Sequence, residues 1–70
     1  MGYRVKCYPK DSAAGYLERG KIVKPYQDGT YYPHPSAARI SANRWLAKNP
    51  GCRAEVLTYS DESLIEELRS

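Results

Sequence analysis

The chain has no phenylalanine, one histidine, one tryptophan, one methionine and two cysteines. Each scarcity argues something away. Cys7, Cys52 and His34 supply at most three soft ligands at scattered positions. With no CxxC or HxxxH spacing, they argue against a structural metal. His34 lies between Pro33 and Pro35 with no nucleophile placed beside it by the sequence, so it reads as a loop or helix-cap residue rather than a catalytic base. The five glycines are scattered, so no phosphate-cradling loop is present. No apolar run is long enough to span a membrane. Met1 leads straight into the alternating run Gly2-Tyr3-Arg4-Val5-Lys6, without the apolar core of a signal peptide. The expectation is a cytoplasmic protein with reduced thiols, no cofactor, no metal and no enzymatic activity.

What is present is a sorted charge. Residues 1–50 hold nine Lys/Arg against three Asp/Glu, whereas residues 51–70 hold two against five. The overall balance is +3. Such asymmetry predicts a basic working surface followed by an acidic tail, and an anionic or acidic partner. Seven tyrosines dominate the aromatics. An apolar ring with a polar tip suits half-exposed sheet faces and interfaces better than a sealed core. At 70 residues the chain makes one small domain, near the size where stability is marginal.

Tyr3 to Tyr8 reads as a strand with Tyr3, Val5 and Cys7 on one face and Arg4, Lys6 and Tyr8 on the other. Pro9 ends it. Residues 16–32 hold a second strand region around Lys21-Ile22-Val23. Two turn signals compete there, Arg19-Gly20 and Asp28-Gly29. Pro35 opens a helix that Asn49-Pro50-Gly51 stops, with Ala38, Ala42, Trp45 and Leu46 on its core stripe. Cys52 to Tyr59 reads as a last long strand. Ser60-Asp61-Glu62 then carries helix-start chemistry, and Leu64, Ile65 and Leu68 form a short amphipathic stripe. That predicts a helix over 61–70, marginal alone and docked near Ile40 and Ala47.

The predicted fold is α+β in the order β-β-α-β. A three-stranded, mainly antiparallel sheet carries one main helix on one face, with a short C-terminal helix. The first strand lies in the centre. The predicted register sets Cys7 opposite Cys52, Val5 opposite Ala54, Tyr3 opposite Val56, Lys6 opposite Arg53 and Arg4 opposite Glu55. The two cysteines then share the helix face with Cα atoms about 4.5–5.5 Å apart, as buried small hydrophobes or as a disulfide. Directly opposed Lys6 and Arg53 would repel, a cost that an anion between them would relieve.

Arg4, Lys6, Tyr8, Arg53 and Tyr59 are expected on the open sheet face, extended by Lys21, Lys24 and Tyr26. Basic side chains interleaved with aromatic rings offer charge for phosphates and π-faces for bases, so nucleic-acid binding is the expected function. Tyr and Arg are also favoured anchors of protein interfaces. The alternative is therefore a protein-interaction module, a small regulator or inhibitor that binds an acidic protein surface. Arg44 and Lys48, one helical turn apart, with Arg39 further round, read as a solvated face or as a second contact for a phosphate or acidic partner.

Overall fold

Strict alternation makes Tyr3–Tyr8 a strand, β1, whose Val5 and Cys7 are fully buried. The computed structural model describes residues 2–23 and 29–70. Within them β1 is followed by β2 (Gly15–Glu18), β3 (Lys21–Val23), α1 (Pro35–Lys48), β4 (Arg53–Thr58) and β5 (Leu64–Arg69). The strands form one five-stranded sheet in the order β3-β2-β1-β4-β5, with every neighbouring pair antiparallel. This corrects the expectation of three strands and two helices. β1 is central, as the alternation implied, but a hairpin flanks it on one side and a second hairpin on the other.

The first hairpin turns at Arg19-Gly20, and the competing Asp28-Gly29 turn lies partly outside the described residues. Arg19 (φ 53) and Gly20 (φ 79) are both left-handed, the type I′ geometry whose twist matches paired strands. Glu18 faces Lys21 across it. Gly29 follows at φ 75, and a Cβ there would stand 2.7 Å from Cβ of Tyr16, so only glycine fits. Thr30 then donates to the Leu17 carbonyl, and Tyr32 exchanges two backbone hydrogen bonds with Tyr3. The segment around Tyr32 thereby covers the half of β1 that β2, paired only at Lys6 and Cys7, leaves open.

The helix forms where the sequence puts it. Pro35 occupies the first turn, and Ala38, Ala42, Trp45 and Leu46 are its buried residues. Asn49 closes the last turn, its backbone N–H donating to the Leu46 carbonyl and its side-chain amide to the Trp45 carbonyl. These helix residues pack on Val5, Cys7, Leu17, Cys52, Ala54 and Val56, with Tyr3, Ile22, Tyr32 and Leu68 at the margin. Small alanines let the helix lie close to the sheet, and Trp45 fills the wider end.

The C-terminal segment is β5, not a helix. It pairs with β4 from Arg53↔Arg69 to Leu57↔Leu64, with a bulge at Val56/Leu57. The helix-start chemistry stabilises a turn instead. Asp61 accepts from the Thr58 and Ser63 hydroxyls, and the Ser63 N–H donates to the Thr58 hydroxyl oxygen, while Glu62 takes a left-handed φ of 58. Side-chain oxygens that cap helices serve tight turns equally well. A helix of about ten residues is marginal, whereas a strand here satisfies the open edge of β4. Ile40 and Ala47, the expected docking site, stay exposed.

The register also differs from expectation. β4 is slid by two residues along β1: Cys7 faces Ala54, Val5 faces Val56, Tyr3 faces Thr58, Lys6 faces Glu55, Arg4 faces Leu57 and Tyr8 faces Arg53. A two-residue slip keeps every side chain on its face, so periodicity alone does not distinguish the two registers. Lys6 therefore opposes Glu55, and the expected direct opposition of Lys6 and Arg53 does not occur.

Candidate binding surfaces

On the open face of the sheet several of the expected site residues meet, but its arginines are already paired with carboxylates. Arg4 is buried, 8 % exposed, although it points away from the helix. Its guanidinium carbon sits 4.2 Å from the centre of the Tyr16 ring and 5.1 Å from that of Tyr59, and it pairs with Glu62 at 3.1 Å. The Tyr16 hydroxyl donates to the same Glu62 carboxylate. The β4–β5 turn thus folds over this end of the face and seals Arg4 between two rings, with buried Leu57 beside it in register. Tyr31 meets the Tyr59 ring edge to face at 5.2 Å.

The other end of the face is half-exposed and, Lys6 apart, also self-matched. Tyr8 donates a 2.7 Å hydrogen bond to Glu55 and carries Arg53 over its ring at 3.9 Å. Lys6 lies 5.5 Å from the same ring. Arg53 pairs with Glu67 at 3.4 Å, and Arg69 with the same carboxylate oxygen at 2.9 Å. Burial, together with the Glu55 carboxylate that its neutral hydroxyl donates to, pushes the Tyr8 phenol up to about 12. Lys21 stands on the edge strand β3, exposed and opposite Glu18. Lys24 and Tyr26 lie outside the described residues. This mosaic corrects the picture of a uniformly basic face: β5 brings carboxylates to it that a C-terminal helix would have carried elsewhere.

Lys6, Lys10 and Lys21 are also without an ion pair among the described residues, but three unpaired cations converge in a different place. A cleft of about 440 Å³ opens between the second half of α1, the β2–β3 turn and the segment leading to Tyr32. Its walls are Arg19, Gly20, Thr30, Tyr32, Ser41, Arg44, Trp45 and Lys48. Among the described residues they include three cations and no carboxylate. Among the described residues no carboxylate lies within ion-pair reach of Arg19, Arg44 or Lys48, whereas Arg4, Arg39, Arg53 and Arg69 each hold one. The volume lies in the range of about 300–1,000 Å³ usual for small-ligand sites. Ser41, Arg44, Trp45 and Lys48 fall at i, i+3, i+4 and i+7, so one helix stripe supplies half of the described lining. That spacing is visible in the sequence. The contribution of Arg19 is not, because the left-handed turn that presents it is joined to the helix only through the tertiary fold.

The two cysteines are free thiols, buried on the core face. In the observed register Cys52 is the diagonal neighbour of Cys7 rather than its opposite. Diagonal pairs stand about 7–8 Å apart, at the limit for a disulfide. Burial pushes the Cys7 thiol up to about 12, helped by the neighbouring Cys52. His34 occupies the helix N-cap position with an exposed side chain that makes no capping hydrogen bond. Among the described residues no helix is long and apolar enough to cross a membrane, and no three His, Cys, Asp or Glu side chains cluster as metal ligands. No family model matches the chain, and no curated protein or solved structure is significantly similar to it.

Proposed function

We propose that the protein is a non-catalytic binding module that associates with nucleic acid. The observation that carries this reading is the convergence of Arg19, Arg44 and Lys48, without a described carboxylate partner, on one cleft that also contains Trp45 and Tyr32. Unmatched cations attract phosphates and release their counterions, and aromatic groups offer contacts to bases. The basic contact of this reading is the cleft rather than the open sheet face. Two buried free thiols suit a reducing compartment such as the cytoplasm.

A salt titration of binding to random-sequence DNA and RNA tests the reading. Affinity should fall steeply with salt, linearly in log–log form. Absence of binding to any nucleic acid at low salt would rule it out.

One observation favours a second reading, a protein partner held on the open face. Tyr8, Arg53, Glu55, Glu67 and Arg69 interleave both signs of charge around a half-exposed ring. Carboxylates so placed repel phosphates but complement a protein surface of mixed charge. Tyr8→Ala, which removes the half-exposed ring without changing the net charge, should then weaken co-purification of a protein partner and leave the salt slope of nucleic-acid binding unchanged.

A further inference from the structure

The chemistry of the cleft is divided between cations and aromatic rings. Arg44 and Lys48 stand one turn apart on α1, and Arg19 faces them from the β2–β3 turn, so three cations surround the opening. Ser41 and Thr30 add hydroxyls that donate to phosphate oxygens without adding charge. Trp45, only 6 % exposed, and half-buried Tyr32 form the aromatic part of the wall.

Resting on the nucleic-acid reading above, we infer that this cleft takes one unpaired nucleotide and that the partner is single-stranded. The phosphate lies among Arg19, Arg44 and Lys48, with Ser41 and Thr30 as neutral donors, and the base lies against Tyr32 and the exposed edge of Trp45. Size decides against a duplex. A cleft of about 440 Å³ holds a group of nucleotide dimensions. Paired bases offer only their edges, in a major groove about 12 Å wide that is read by an inserted helix or ribbon. Here the aromatic part of the wall is Trp45, 6 % exposed, and half-buried Tyr32, so a base that contacts them must leave its stack.

The test compares a twelve-nucleotide single strand, the duplex of the same sequence, and a strand with abasic sites throughout, each with wild type, Arg44→Gln/Lys48→Gln and Arg69→Gln. Trp45 is the only tryptophan, so its fluorescence reports occupation of the cleft directly. The single strand should bind at least about tenfold more tightly than either the duplex or the abasic strand, a modest value for one base–aromatic contact. Its binding should also shift Trp45 emission. Arg44→Gln/Lys48→Gln, folded by circular dichroism, should lower the log–log salt slope by about 1.4, two contacts at about 0.7 each. Arg69→Gln should not change it. Equal affinity for strand and duplex, or for normal and abasic strands, would overturn the single-nucleotide assignment while leaving nucleic-acid binding standing. Single-strand binding that survives the double substitution with an unchanged slope would overturn the cleft as the site. Failure of every nucleic acid to bind at low salt would instead remove the reading on which the assignment rests.

Discussion

The open sheet face and the α1 cleft are both rich in cations, yet they use them in opposite ways. On the sheet face, Arg4 is sealed between Tyr16 and Tyr59 against Glu62, and Arg53 and Arg69 share Glu67. Those charges are structural: each interacts with a partner that folding brought to it. Around the cleft, Arg19, Arg44 and Lys48 have no such partner among the described residues and remain exposed. A basic patch is therefore a statement about function only after its internal pairs have been subtracted. Charges already paired have less attraction left for an incoming anion.

Trp45 is the residue the two functions share, since it belongs to the core and also lines the cleft. Replacing it with Ala should have the largest effect, a loss of about 3–5 kcal/mol in urea denaturation, enough to unfold a domain this small. A cost below about 1 kcal/mol would mean that the tryptophan belongs to the cleft and not to the core.

Arg4→Met sharpens the comparison from the sheet side. It removes two cation–π contacts and an ion pair in which Arg4 is buried and Glu62 is about half exposed, and should cost about 1–2 kcal/mol. A double-mutant cycle with Glu62→Gln should show coupling, since the two groups form one cluster. Additive effects would place Arg4 among ordinary surface charges and dissolve the distinction between the two regions.

Alkali should weaken the folded structure through two groups of the central strand. The Cys7 thiol is raised from 9.0 to about 12 and the Tyr8 phenol from 10.0 to about 12. Both groups hold their protons more tightly when folded. Their contribution is therefore complete below the unfolded values and is lost as pH climbs from about 9 to about 12. The midpoint of thermal unfolding should be level up to about pH 9 and fall beyond it, with Tyr8→Phe reducing the loss above about pH 10. A midpoint that falls steadily from neutrality would exclude these two groups as the cause.

The smallest effect on stability is expected at the cleft. Arg44→Gln and Lys48→Gln should each change stability by less than about 0.5 kcal/mol, as for surface positions without a buried partner. A larger loss would reveal a structural role and bring the two regions back together.

Much of the scaffold was legible because it depends on local periodicity. The run Pro35–Lys48, its buried stripe at Ala38, Ala42, Trp45 and Leu46, and the two faces of β1 and β4 follow from side-chain spacing within a few residues. The C-terminal segment was not legible. Leu64, Ile65 and Leu68 suit a short helix stripe, and only the unfilled edge of β4 turned the segment into a strand. The register escaped for a related reason, since a slip of two residues leaves both faces unchanged and only the hydrogen-bonded partners differ.

For the candidate site, the sequence by itself determined the stock of charges and rings, and the helix spacing that aligns Ser41, Arg44, Trp45 and Lys48. Only the tertiary structure decided which cations are matched. Glu62 reaches Arg4, and Glu67 reaches Arg53, because β5 folds back on β4. Arg19 joins Arg44 and Lys48 because a left-handed turn and an α-helix, separate along the chain, meet across the core that joins them. Periodicity acts over a turn or two of chain, whereas charge pairing acts over a few ångströms of space.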